Sequence, residues 1–346
     1  MPRLRRVDTN EPGIRRRGRG RGFEYLDANG RRISDPEVLE RIRSLAIPPA
    51  WRDVWICPLP HGHLQAVGTD AAGRKQYLYH ERWRRRRDQE KFDRVLAFAR
   101  HLPQLRLRVE EDLRRRGMPK PRVLACAARL LDLGFFRIGS ESYAEENQTY
   151  GLATLRKDHV LVNGDVASFD YAAKGGARRI QVVRDPLVVA VVRTLRRRRT
   201  GGDELLAYLE KRRWVDVRSG DINDYLKEWT RDEHSAKDFR TWNGTLLAAV
   251  ALALDDPPPA SKTARGRRVT AAVKSVAEYL GNTPAVCRAS YIDPRVVDRF
   301  LAGQTIRHAL QGRDDIDPQD PTTLQGAIEE ATIDLLRDAS AEEAAA

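Results

Sequence analysis

No stretch of this sequence is apolar for long enough to form a membrane-spanning helix. Cysteine is scarce. Cys57, Cys126 and Cys287 are scattered, odd in number and form no Cys-x-x-Cys pair, so no disulfide framework is expected and a reducing compartment fits. The "HGH" at His61 and His63 lacks partner ligands, reads as a turn beside a strand, and gives no reason to expect zinc. A Walker-type phosphate loop is missing too. So is an acidic pair suited to two-metal chemistry, since Asp255-Asp256 stands in the proline-rich "DDPPPASK". Neither a metal nor a nucleotide cofactor is therefore expected. The opening "MPRLRRVDTNEPGIRRRGRGRG" is basic but has no apolar core of the kind a secretory signal needs. Its "GRGRG" follows no strand and is not a dinucleotide fingerprint.

What is present is positive charge on a chain able to fold. The 346 residues are 41% hydrophobic, enough for a sizeable core. Lys and Arg number 62 against 49 Asp and Glu, a formal charge of +13. Arginine dominates, in runs such as Arg84 to Arg87 and Arg196 to Arg199. A single run reads equally well as a solvated helix face. The imbalance over the whole chain points to a polyanion, whose phosphates match arginine forks.

The pattern along the chain predicts an α+β protein: a small β-rich N-terminal domain and a larger, mostly helical domain with a β-hairpin insertion. Residues 1–20 read as a flexible basic arm, 21–88 as the β-rich domain, and 89–346 as the helical domain, with an acidic tail from about 313. "FEYLDANGRRI" carries the turn signal Asn29-Gly30. "LQAVGTDAAGRKQYLYH" reads as a second hairpin, with Tyr77 and Tyr79 on one face. "DQEKFDRVLAFARHL", "EEDLRRRG" and "PKPRVLACAARLLDLG" have helical spacing. "HVLVNGDVASFDYAAKGGARRIQVV" alternates as strands do and has turns at Asn163-Gly164 and Gly175-Gly176. Helices are expected again over 185–199, 221–230, 235–254 and 267–280. In the tail, where Arg337 is the sole cation after Arg313, a solvated helix is expected.

"GNTPAVCRASYIDP" sets the chemical question. Thr283 suits an N-cap and Pro284 a first helical turn, with Tyr291 inside the short helix and Asp293-Pro294 closing it. A lone helical tyrosine is ordinarily a packing residue, and its phenol is a poor nucleophile at neutral pH unless cations surround it. Candidate cations exist. Arg137 lies just past a helix end, Lys174 beside a β-turn, and Lys237 and Arg240 three apart near a helix start. Asn282 stands nine residues before Tyr291. Each has a plainer reading: an Arg137–Glu141 pair, a solubilising Lys174, an ion-paired Arg240, a helix-capping Asn282. Spacing does not join them.

A family resemblance does. "IPPAWRDVWICP" and "GHLQAVGTDAAGRKQYLYH" in the N-terminal part resemble the type IB DNA topoisomerases of compact, poxvirus-like form found in bacteria. In the helical part, "FRIGSESYAEENQTYGLATLRKDHV", "SAKDFRTWNGT" and "GNTPAVCRASYIDP" are similar to the same family, over about Phe23 to Phe300. The resemblance implies Tyr291 as nucleophile and Arg137 and Arg240 as phosphate clamps. It also implies Lys174 as general acid and Asn282 as the fifth member, a position that holds histidine in viral and nuclear relatives. It places Arg74, Lys75, Gln76, Tyr77 and Tyr79 against DNA, and we add Lys237 from its place beside Arg240. One departure is "AKGGA", where Ala173 and Ala177 replace a glycine and a second lysine of the family pattern. The implied protein is a monomer that clamps duplex DNA in the cytoplasm, at the nucleoid, and relaxes supercoils of both signs through a 3′-phosphotyrosyl intermediate without ATP or metal. Two other readings compete with it. A tyrosine recombinase would show His-x-x-Arg where Lys237-Asp-Phe-Arg240 stands. A non-enzymatic DNA-binding protein would leave the ordered Arg, Lys, Arg, Asn, Tyr set unexplained.

Overall fold

The computed structural model describes residues 3–20, 22–134, 136–230, 234–254, 261–313, 316–317 and 321–343. Asp255-Asp256 and the prolines after them lie outside the described residues, as do parts of the acidic tail. The chain divides into two compact units, Met1–Phe92 and Asp93–Ala346.

The first unit is built on an antiparallel sheet. Its strands are β1 (Ile14–Arg19), β2 (Gly22–Leu26), β3 (Arg52–Ile56), β4 (Leu64–Thr69) and β5 (Lys75–Tyr79), in the order β2-β1-β3-β4-β5. Helix α1 (Pro36–Ser44) starts at Asp35, whose carboxylate accepts from the amides of Glu37 and Val38, with Pro36 opening the first turn. Ile14, Ile42, Val54, Ile56 and Ala66 form the core. Residues 14–19 are thus not part of a flexible arm: β1 is flanked on both sides by pairing. Its arginines had suggested a solvated tail, yet they serve the strand. Ile14 is buried, and the Arg16 guanidinium donates to the carbonyls of Pro48 at 3.1 Å and Trp51 at 2.6 Å and lies 4.2 Å from the Phe23 ring centre. The hairpin of β4 and β5 matches its sequence signal.

Helix α2 (Glu81–Leu113) carries the chain across the division, running through Pro103 where two helices were expected. Proline removes one backbone bond from a helix. Phe98, Leu102, Leu105, Val109 and Leu113 continue one buried face through it, and that burial keeps the helix whole. In the second unit, α3 (Lys120–Gly134) leads to a short α4 (Glu141–Asn147). A three-stranded sheet follows, β6 (Val160–Asn163), β7 (Val166–Ala172) and β8 (Arg178–Val183), in chain order. Then come α5 (Pro186–Arg197), an unanticipated pair β9 (Ala207–Glu210) and β10 (Arg213–Asp216), and α6 (Ser219–Thr230). The remaining helices are α7 (Ala236–Ala253), α8 (Lys262–Leu280), α9 (Pro284–Ser290), α10 (Pro294–Leu301), α11 (Arg307–Leu310) and α12 (Ala327–Glu343). α7 is the centre of the unit, buried on nearly every face.

The tail corrects another expectation. α12 is not a solvated helix: Ile328, Thr332 and Leu336 are buried. Glu329 takes both guanidinium nitrogens of Arg106, at 2.6 and 2.9 Å, and accepts from Trp242 Nε1 at 3.0 Å. An acidic composition hid a helix with one apolar stripe and one buried carboxylate.

Candidate active site

The site is assembled at the C-terminal end of α8. A helix leaves its last carbonyls without intrahelical partners and concentrates negative potential there. Arg240 Nη2 donates to Leu280 O at 2.7 Å, and Arg137 Nη2 donates to Gly281 O at 2.9 Å and to Asn282 Oδ1 at 2.6 Å. Gly281 closes the helix in the left-handed region, with φ 61° and ψ 50°. The chain then turns at once into α9, capped by the Thr283 hydroxyl accepting from Val286 N.

Tyr291 is the residue that ends α9 rather than one inside it. Asp293-Pro294, read as closing that helix, instead caps and opens α10. α7 holds Tyr291 from beneath. Thr245 Oγ1 shares its proton between Thr241 O at 2.9 Å and Tyr291 O at 3.3 Å and accepts from Asp293 N at 3.1 Å. A Cβ at Gly244 would stand 2.7 Å from Tyr291 O, so only glycine lets α7 approach this closely. One turn earlier on α7, Arg240 places its Cζ 5.3 Å from the Tyr291 ring centre.

Arg240 is nearly fully buried. Burial, then the neighbouring Arg137, pull its pKa down to about 10, while Tyr291 opposes the shift. It remains cationic at neutral pH. Phe136, fully buried against Phe169 and Tyr171, anchors Arg137 from the preceding position, and Leu152 N donates to Arg137 O at 2.8 Å. Asn282 Nδ2 is buried without an acceptor among the described residues. A buried amide donor on the residue whose Oδ1 accepts from Arg137 suits an oxyanion.

Four of the five residues named from the sequence thus meet: Arg137, Arg240, Asn282 and Tyr291. The fifth, Lys174, stands exposed on the turn between β7 and β8, closed by Ala173 N to Ala177 O at 2.8 Å. Lys237 is exposed in the first turn of α7. The other DNA-contact candidates lie in the first unit. Lys75, Tyr77 and Tyr79 share the exposed face of β5, with the two tyrosine rings stacked at 6.2 Å. Arg74 and Gln76 both reach Asp70, at 2.8 and 2.9 Å. Among the described residues no cluster of His, Cys, Asp or Glu could hold a metal ion, and no helix is long and apolar enough to cross a membrane. Gly244, Thr245 and Arg179, which take part in the site, were not singled out from the sequence. Gly244 and Thr245 fall in "RTWNGT", where only a contact with a segment some 46 residues away shows their use.

A two-unit protein with a tyrosine set among arginines at a helix end has clear relatives. The family described as eukaryotic DNA topoisomerase I, catalytic core, matches residues 80–305, and that of the bacterial DNA topoisomerase IB N-terminal domain matches 22–70. DNA topoisomerase 1B of Acanthamoeba polyphaga mimivirus is 32% identical over 81% of this chain and 85% of its own. DNA topoisomerase 1B of Vaccinia virus (strain Copenhagen) is 21% identical over 67% of this chain and 71% of its own. DNA topoisomerase 1 beta of Arabidopsis thaliana is 25% identical over 48% of this chain but 17% of its own length. The chain belongs to the type IB DNA topoisomerases and is an enzyme of that class.

Proposed function

We propose that this enzyme relaxes positive and negative supercoils by cutting one strand of duplex DNA through a 3′-phosphotyrosyl intermediate, letting the free strand rotate, and resealing it. Tyr291 gives up its phenolic proton to water, a loss that the neighbouring cations favour; its Oη forms a bond to phosphorus as the bond from phosphorus to the 5′ oxygen breaks, and Lys174 gives that oxygen its proton. Negative charge grows on the non-bridging oxygens in this step. Arg137, Arg240 and Asn282 Nδ2 stabilise it more in the transition state than in the ground state. Lysine suits proton donation because an ammonium gives up its proton more readily than a guanidinium does. The phosphotyrosyl bond conserves the energy of the phosphodiester, so resealing needs no ATP, and no step calls for a metal.

The observation that carries this reading is the convergence of Arg137, Arg240 and Asn282 on the turn leading to Tyr291. We further read the protein as a monomer at the nucleoid whose two units close round the duplex. Lys75, Tyr77, Tyr79 and Lys237 then contact DNA with modest sequence preference. The helical unit is read as the catalytic fold shared with tyrosine recombinases. The test is relaxation of supercoiled plasmid in EDTA without ATP. The unaltered protein is expected to relax it fully and Tyr291→Phe not at all. Equal relaxation by both would show that Tyr291 is not the nucleophile. Binding without relaxation would favour a recombinase or an architectural protein.

A further inference from the structure

Three arginines meet at the end of α8. Arg179 takes the two carbonyls before those held by Arg240 and Arg137, donating from Nη1 to Glu278 O at 3.2 Å and from Nη2 to Tyr279 O. Its guanidinium packs on Gly281, where a Cβ would stand 2.9 Å from Nη1 and 3.1 Å from Cζ. Burial, with Arg137 adding repulsion, pulls the Arg179 pKa below its ordinary value, although Tyr171 opposes the shift. Crowding a third cation into a partly buried cluster costs free energy that the negative end of one helix offsets only in part.

The origin of Arg179 gives that cost a purpose. It lies on β8, the returning limb of the hairpin whose turn carries Lys174, and it pairs across to Tyr171, three residues before that lysine. Its neighbour Arg178 stays within the hairpin, donating from Nε to Asp170 at 2.8 Å. Arg179 reaches out of the hairpin to the helix end from which Asn282 and Tyr291 follow.

We propose that Arg179 is a positioning residue for proton transfer: by clasping the last turn of α8 it fixes the β7–β8 hairpin so that Lys174 is held at the leaving 5′ oxygen. The proposal rests on Lys174 being the general acid. The reaction is unchanged by it. The Tyr291 phenol passes its proton to water and Oη bonds to phosphorus, the electron pair of the broken bond goes to the 5′ oxygen, and the Lys174 ammonium protonates that oxygen. Removing Arg179 leaves the nucleophile and both clamping arginines in place and loosens the acid alone. A misplacement of about 1 Å costs roughly 10²-fold in rate.

The experiment compares single-turnover cleavage of two duplexes, one with the ordinary bridging 5′ oxygen and one with sulfur in its place. Thiols ionise far more readily than alcohols, so sulfur leaves without a proton donor. Arg179→Ala is expected to slow cleavage about 10²-fold on the oxygen duplex and to return to within a few-fold of the unaltered enzyme on the sulfur duplex, as Lys174→Ala should. Arg240→Ala stays slow on both. Arg179→Lys, which keeps the charge and loses the fork, should show a smaller defect with the same rescue. Both rates come from one preparation, so their ratio is independent of how much of a destabilised variant is folded. Equal slowing of Arg179→Ala on both duplexes overturns the proposal. Failure of sulfur to rescue Lys174→Ala overturns the general-acid assignment itself, and the proposal falls with it.

Discussion

Tyr171 shows how one residue reports on the charge of its surroundings. It sits on β7 beneath the arginine cluster, with its hydroxyl donating to Gln181 Oε1 at 3.0 Å. Burial pushes its pKa up to about 12, against the pull of Arg179, Arg240 and Arg137. The folded pKa therefore exceeds that of an unfolded tyrosine, near 10. Below about pH 10 both states hold the proton and the contribution to stability is complete. Between about 10 and 12 only the unfolded state releases it, so stability falls as pH rises, by about 2–3 kcal/mol over the window. Arg240 runs the other way, being depressed in the folded state, but it is common to the enzyme and to a Tyr171→Phe variant. At pH 7 the variant should be less stable by about 1 kcal/mol for the lost hydrogen bond. By pH 11 that deficit should shrink or reverse. Urea midpoints at the two pH values measure it, and a constant difference would mean that Tyr171 is not held neutral. At this scale the sequence yielded residue types and a resemblance, and so Tyr291, Arg137, Arg240 and Asn282. Arg179 stayed hidden because its use depends on a contact with Glu278 and Tyr279, about 100 positions along the chain. Local spacing carries no trace of such a contact.

Among the elements, the hairpins and amphipathic helices were readable because turn chemistry and periodicity are local. β1 and α12 were not. Their compositions, arginine-rich and acidic, describe solvated chain unless each charge finds a partner, and the partners are remote. For α12 the partners are Arg106 and Trp242, and Asp132 joins them from α3 at 2.9 Å from Arg106 Nε. Burial alone would lower the Arg106 pKa, but Asp132 and Glu329 outweigh it and hold the guanidinium above its ordinary value. Asn243 Nδ2, next to Trp242, donates to Asp132 O at 3.2 Å, so this network grips α7 within one turn of Arg240. Glu329→Ala orphans the Trp242 N–H and leaves Arg106 with one carboxylate partner in place of two. The expected loss is about 2–4 kcal/mol, since breaking a buried pair exposes the penalty of the charge left behind. Glu329→Gln keeps an acceptor for Trp242 and should lose less. Equilibrium urea denaturation of the full chain reads both. Glu329→Ala as stable as the unaltered chain would mean that α12 does not dock.

For the whole molecule the governing quantity is charge. The excess of +13 is carried on a chain whose residues after Arg313 are acidic, so the segments before them are more basic than the total suggests. Many of the exposed arginines are already in ion pairs. Arg86 lies 2.9 Å from Glu90, Arg74 lies 2.8 Å from Asp70, and Arg17 lies 2.6 Å from Glu24. Such exposed pairs are weak and screened by salt. They hold side chains in place at little energetic expense and give way readily to a phosphate, which binds a guanidinium through two oxygens. A duplex held in this manner releases its counterions, and affinity falls steeply with salt. For about 6–10 phosphate contacts the slope of log K against log salt is about −5 to −9, and affinity drops by about 10³–10⁵ between 50 and 200 mM. Fluorescence anisotropy with a short duplex and Tyr291→Phe, which under the proposed function does not cleave, measures the slope without turnover. Replacing Arg74 by alanine should flatten it by about one unit if that arginine exchanges Asp70 for a phosphate. A slope shallower than about −2 with affinity retained would mean that base or apolar contacts hold the DNA. The basic surface would then serve long-range attraction of DNA rather than the grip on it.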